Sequence, residues 1–241
     1  MTRSKIFPTV DAAVADIPDG STVGFAGFGG VGTPWFLIGA LARQGAKRLT
    51  CVSNSTTARN MPPGATDMSA IVANGQLAKG ICAFTAGTRP SQKLVFTEWY
   101  EAGKVEAEIV PQGTLAERLR AAGAGIPAFF TPAGVGAEVS DGKEHRDFNG
   151  RTYVMEHALP LDYAFIRAWK ADTLGNLQFR LTQRNFNPLM AMAARVTIVE
   201  VEEDILPAGG IDPDLVHTPG LYVHRLVKVD PKGMPPLEKA L

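Results

Sequence analysis

Thr22-Val23-Gly24-Phe25-Ala26-Gly27-Phe28-Gly29-Gly30-Val31-Gly32-Thr33-Pro34 joins a short apolar run to a helix start through a glycine-dense turn. Thr33 is a residue type that caps helices. Pro34 then falls at the first helical position, where a missing N–H costs nothing, so the stretch predicts a helix from Pro34 toward Gln44, ended by Gly45 in a left-handed conformation. Glycines ahead of such a start leave backbone N–H groups uncovered, and the helix dipole adds partial positive charge. The expected guest is a carboxylate, a phosphate or a developing oxyanion.

Gly27, Gly29 and Gly32 satisfy the spacing of a dinucleotide-binding fingerprint, but that fingerprint needs an Asp or Glu about 20 residues on, at the end of the next strand, to hold ribose hydroxyls. The next strand reads as Leu49 to Ser53 and is followed by Asn54 and Ser55. No acidic residue occurs from Gly20 through Thr66, whereas Arg43, Lys47, Arg48 and Arg59 fall in this window. A bound dinucleotide is therefore disfavoured. A P-loop is excluded because no Gly-Lys-Ser/Thr follows the turn. A tight strand-to-helix turn with no ligand stays open on local pattern alone.

Outward from this stretch, segments of helical and strand character alternate along the 241 residues, which predicts an α/β fold with a largely parallel sheet flanked by helices in one domain, 1–241. The opening helix reads as Thr9 to Asp16, and Ser91 to Ala102 as another, with Leu94, Val95 and Trp99 at helical spacing. Val105 to Val110 reads as a strand. Thr114-Leu115-Ala116-Glu117 has the form of a capping box, placing a helix from Thr114 to Ala122 with Gly123 as its stop. Pro111-Gln112-Gly113 is then a tight turn with an exposed amide at its tip, a position that suits an ordinary turn glutamine as well as a functional one. Ser140 to Arg151 reads as an exposed excursion or hairpin, Asn187-Pro188 as a second cap-and-first-turn pair, and Pro235-Pro236 as a tail.

The charges narrow the function. Twenty-four Lys and Arg balance 24 Asp and Glu, and no basic run appears, so nucleic acid is not an expected partner. No apolar run approaches the length of a membrane span, and Met1 to Lys5 does not open a signal peptide, so a cytoplasmic protein is expected. Cys51 and Cys82 lie in apolar runs and read as buried, reduced thiols. The four histidines have no metal-ligand spacing, and no metal is expected.

Several ordered motifs then carry a resemblance. Gly27-Phe28-Gly29 with its helix, Leu49 to Asn54, Val110 to Ala124 (VPQGTLAERLRAAGA), Pro127 to Gly136 (PAFFTPAGVG), Phe148-Asn149-Gly150, Ala168 to Asn176 (AWKADTLGN), Arg184 to Asn187 and Ile198 to Glu203 (IVEVEE) run almost end to end. Together they resemble class I coenzyme A transferases, specifically an A subunit of the succinyl-CoA:3-oxoacid type. The resemblance implies ping-pong transfer through an enzyme glutamyl-CoA thioester, with coenzyme A as a substrate and no cofactor. It implies that the nucleophilic glutamate sits on a B subunit, in a Ser-Glu-Asn-Gly motif this sequence lacks, and that A and B assemble as α2β2. The chain ends before a second catalytic half, so a separate B polypeptide is expected. Glu98, Glu101, Glu138, Glu156 and Glu200 lie outside that motif and read as surface or structural groups.

Carried over by position, Gly27, Phe28, Gly29 and Gly30 are expected to bind substrate and face the partner's glutamate. Asn54 and Gln112 are expected to turn amides toward the reacting carboxylates, where neutral donors stabilise developing charge without neutralising the nucleophile. Arg43, Lys47 and Arg59 read as solvated surface charge or as a diffuse attraction for anions. Two departures stand out: Ala26 where many relatives have glycine, and Ser53-Asn54-Ser55-Thr56-Thr57 where relatives often read Ser-Asn-Asn-Ala-Gly. A different acid acceptor, a CoA-dependent hydrolase and a non-catalytic metabolite sensor remain the competing readings.

Overall fold

The computed structural model describes residues 4–57, 61, 65–85 and 94–230. Arg59, much of the loop leading to Gly64, residues 91–93 of the helix read from Ser91, and Pro235-Pro236 lie outside them. In chain order come α1 (Val10–Val14), β1 (Thr22–Phe25), α2 (Trp35–Gln44), β2 (Leu49–Ser55), α3 (Met68–Ala73), β3 (Leu77–Phe84), α4 (Val95–Glu101), β4 (Glu106–Ile109) and α5 (Gln112–Gly123). There follow β5 (Ala128–Thr131), β6 (His145–Phe148), β7 (Arg151–His157), β8 (Leu161–Ala168), β9 (Lys170–Ala171), β10 (Leu177–Gln178), α6 (Asn187–Ala193), β11 (Ala194–Val201) and β12 (Arg225–Lys228).

Seven strands form one sheet in the order β12-β11-β8-β1-β2-β3-β4, every pairing parallel. Parallel strands need crossovers, and helices from both faces bury them, which is why β8 and β11 read as nearly continuous apolar runs rather than alternating ones. From β1 the chain winds outward through β2, β3 and β4, then returns to the other side of β1 and winds outward through β8, β11 and β12. The order therefore reverses between β1 and β8, and the glycine turn after β1 stands at that reversal, at the carboxyl edge where open α/β sheets take ligands.

Alternate side chains feed two cores. Val23, Phe25, Cys51, Phe165 and Ile198 face Leu37, Ile38 and Leu41 of α2 on one side. Val52, Ala164, Ile166 and Val199 face Leu115 and Leu119 of α5 and Met190 of α6 on the other. Each fully buried Leu or Ile contributes about 2 kcal/mol by leaving water. Both cysteines are buried and free, and burial pushes both thiols up, Cys82 to about 12.

The Ser140–Arg151 excursion is a hairpin, as expected: β6 and β7 pair antiparallel and, with β5, make a separate three-stranded sheet. Three expected caps do not form. Thr114 is three residues inside α5, buried, with its hydroxyl unpartnered, while Glu117 pairs instead with Arg120 at 2.6 Å. The sheet carries the chain further than the motif allows for, since Val110 N–H still bonds Cys82, and Pro111 turns directly into the helix. Asn187 lies within α6 rather than before it; its Oδ1 accepts the Arg167 N–H at 2.8 Å. The α5 stop falls at Gly125 (φ 71°), two residues beyond Gly123, where an added Cβ would meet Met192 of α6 at 2.6 Å.

Candidate active site

The third failed cap is at α2. That helix begins at Trp35, one residue later than read, and its stop is as read: Gly45 is left-handed (φ 88°) and its N–H bonds Leu41. Neither Thr33 nor Pro34 caps it with a side chain. The carboxylate of Glu200, on β11, does so: its Oε1 accepts the Leu37 N–H at 2.8 Å, and the Phe36 N–H also donates to it. The expected anion site at this helix start is therefore filled by the protein's own carboxylate, so the start offers no open anion site. No local pattern announces this, because the two partners are 163 residues apart.

Glycine still explains the turn. Phe28 and Val31 exchange both backbone hydrogen bonds, at 3.0 Å each, across Gly29 (φ 58°) and Gly30 (φ 100°). Two consecutive positive φ values are the requirement of a type I′ turn, which side chains resist. Gly27 (φ 108°) lies so close to Thr33 that an added Cβ would sit 2.3 Å from its hydroxyl. The turn is clamped from behind by Asn185, whose Nδ2 donates to the Val31 carbonyl, and by Asn187, whose Nδ2 donates to that of Gly32. The turn presents Phe28 outward, 48% exposed although it is a large apolar ring.

Asn54 and Gln112 are 58 residues apart in sequence and are brought together: Gln112 Nε2 donates to Asn54 Oδ1 at 2.7 Å. β2 runs two residues further than read, so Asn54 lies within the strand and is buried, while Gln112 is the first residue of α5 and is exposed. That helix start has no side-chain cap and no acidic residue in its first turn, and Gly113 faces open space. Its first-turn amides and positive dipole end thus lie beside two neutral amide side chains, an arrangement suited to developing negative charge.

The glycine turn and the amide pair share the carboxyl edge of the sheet but flank it differently. Ser53 and Ser55 point to the α2 side, where with Gly27, Gly29, Thr33 and Thr57 they line a cleft. Asn54 points to the α5 side. Of the departures, Ala26 is buried and its N–H bonds Phe165, continuing the β1–β8 ladder, whereas Ser55 and Thr57 line the cleft, Thr57 donating to Asp67 at 2.9 Å. Arg43 pairs with Asp11 at 2.8 Å and Arg48 with Asp19 at 3.2 Å, all four well exposed, and Lys47 Nζ donates to the Asn74 carbonyl. Glu98, Glu101 and Glu138 are exposed, and Glu156 is buried against Lys143 at 2.6 Å. Among the described residues no group of three or more His, Cys, Asp and Glu is placed to hold a metal ion, and no helix is long and apolar enough to cross a membrane.

Across 225 residues the chain is 48% identical to the A subunit of the succinyl-CoA:3-ketoacid coenzyme A transferase of Xanthomonas campestris pv. campestris (strain B100), covering 93% of this chain and 88% of that one. It is 43% identical over 238 residues to the A subunit of the 3-oxoadipate CoA-transferase of Pseudomonas putida, covering 99% of both. The crystal structure of an acyl-CoA transferase from E. coli O157:H7, a thioester complex with CoA, superposes with a TM-score of 0.78 at 25% identity; the match covers 95% of this chain and 48% of that one. The family model for coenzyme A transferase matches residues 7–229, and the chain belongs to the coenzyme A transferase family.

Proposed function

We propose that this chain is the A subunit of a two-subunit 3-oxoacid CoA-transferase, moving CoA from succinyl-CoA to acetoacetate or 3-oxoadipate, and that it acts only with a B subunit, as α2β2, in the cytoplasm. The observation that carries the reading is the 2.7 Å bond between Gln112 and Asn54 beside the uncapped start of α5. It assembles donors for charge, while none of the glutamates weighed as nucleophiles joins it.

In the proposed reaction a carboxylate oxygen of the partner's glutamate attacks the acyl-CoA carbonyl and expels the CoA thiolate, leaving a mixed anhydride. The thiolate then attacks the glutamyl carbonyl, releasing the first acid as a carboxylate and leaving the enzyme thioester. The same steps in reverse pass CoA to the second acid. Each step places negative charge on a carbonyl oxygen, and Gln112 with Asn54 would donate to it. One such donor is worth about 2–4 kcal/mol of transition-state stabilisation. The exposed Phe28 would be covered by the partner and shape the acyl pocket.

Co-expression with a B subunit of the same transferase type, followed by assay of succinyl-CoA consumption with each acid, for the complex and for the two separated polypeptides, tests the reading. Transfer by the complex alone supports it and identifies the acceptor. Turnover by the isolated chain overturns it, and a stable complex that hydrolyses acyl-CoA without an acceptor replaces it with a hydrolase.

A further inference from the structure

Glu200 has no part in the reaction just described, yet it is fully buried, and its Oε2 has no hydrogen-bond partner among the described residues. Its carboxylate serves the second and third amides of α2, Oε1 taking the Leu37 N–H; in most helices such amides are satisfied by the side chain just before the first turn. Here Pro34 occupies that place and has no group to offer. Burying a carboxylate is costly unless it is fully hydrogen-bonded, and this one is half satisfied. A Ser or Asp at position 34 would cap the helix at lower cost, so helix stability alone does not account for the arrangement.

What Glu200 controls lies immediately upstream. The amides it holds are two and three residues beyond Pro34, and Thr33 is in close contact with Gly27, the first residue of the glycine turn. On the opposite side Asn187 ties the Gly32 carbonyl to the Arg167 N–H of β8. The turn is thus strung between two anchors, neutral Asn187 on α6 and ionisable Glu200 on β11.

We propose that Glu200 is a positioning residue: by anchoring the first turn of α2 from β11, it sets the Gly27–Gly30 turn against the reacting groups. The identity of the reaction rests on the transferase reading, but the anchoring does not depend on it. The groups facing Glu200 are few. In the ladder it lies between Arg167 on β8 and Val227 on β12; Arg167 is paired with Glu202 at 2.6 Å, and the first turn of α2 carries no charged side chain. Burial pushes the Glu200 carboxyl up to about 7, against the opposing pull of Arg167 and the two amides, with Glu202 adding to the rise. Within the folded state an ionised carboxylate accepts amide hydrogen bonds more strongly than a neutral acid, so ionisation above about pH 7 tightens the turn even though burying that charge lowers overall stability.

The test uses the A–B complex with Glu200→Ala and the near-isosteric Glu200→Gln, whose carbonyl still accepts the amides without titrating. Amide hydrogen exchange across residues 27–37 should accelerate about tenfold or more in Glu200→Ala, with kcat falling by a similar factor and KM for acyl-CoA within about twofold of wild type. Glu200→Gln, a neutral acceptor like the protonated acid, should keep about the kcat that wild type has near pH 6 and lack the rise expected of wild type between about pH 6 and about pH 8. Wild-type exchange and kcat in Glu200→Ala, or an unaltered pH profile in Glu200→Gln, would overturn the proposal. If Glu200→Ala does not fold, the Glu200→Gln profile decides. If the wild-type complex transfers CoA to no acid while exchange still responds to Glu200, the anchor is supported and the transferase reading is the one that fails.

Discussion

Two helix starts at one sheet edge have opposite fates. Both α2 and α5 follow a parallel strand and begin immediately after a proline, and both carry a Thr placed to look like a cap. At α2 a buried carboxylate from a distant strand takes the first-turn amides. At α5 no side chain caps the start, and its first residue, Gln112, reaches across to Asn54. The same local chemistry makes one start a structural joint and leaves the other open to a ligand. What separates them is whether the fold places an acceptor above the amides, a matter of strand register rather than of the turn.

The sharpest way to break this contrast is Gln112→Ala in the A–B complex. If α5 is the working start, kcat/KM should fall by about 2–4 kcal/mol of transition-state stabilisation, measured by steady-state kinetics. An unchanged value would remove Gln112 from the site.

The structural start should reveal itself through pH. With its folded carboxyl raised to about 7 and an unfolded value near 4.5, Glu200 contributes stability that is present below about pH 4.5 and lost as pH rises through about 7. Urea denaturation of wild type against Glu200→Gln between about pH 5 and about pH 8 should show that slope in wild type only, on the order of 2–3 kcal/mol in total. Parallel pH dependences would mean that Glu200 does not titrate in this range.

Next in size are the glycines of the turn. Gly27→Ala forces a methyl onto Thr33 at a positive φ and should cost about 2 kcal/mol or more, whereas Gly29→Ala, also at positive φ but with nothing within 4 Å, should cost about 1 kcal/mol. Equal denaturation midpoints for the two variants would show that the close approach to Thr33 carries no weight. The smallest effect belongs to Thr114→Val. Because the Thr114 hydroxyl is buried and unpartnered, the change should be neutral or slightly stabilising, within about 0.5 kcal/mol. A loss of about 1 kcal/mol would instead restore the capping box that the motif suggested.

Much of this was legible beforehand. The alternation of apolar runs and helical spacings is enough to predict a parallel sheet with helices on both faces, because period and burial are local consequences of side-chain pattern. Gly45 as the α2 stop rests on which residues tolerate positive φ, again a local property; the glycine density ahead of α2 marked a turn, but its type I′ geometry came only with the structure. Gln112 and Asn54 were singled out one by one, from their places near strand ends and from the family resemblance. Their hydrogen bond was not, because it depends on β3 lying between β2 and β4, which brings the end of one and the successor of the other to the same edge. The caps failed for the same reason. A capping motif predicts which groups are able to bond. Whether Thr33 caps α2 or is displaced by Glu200 depends on where β11 settles beside β8, since hydrogen bonds in a folded chain go to the best acceptor in space, not to the nearest in sequence.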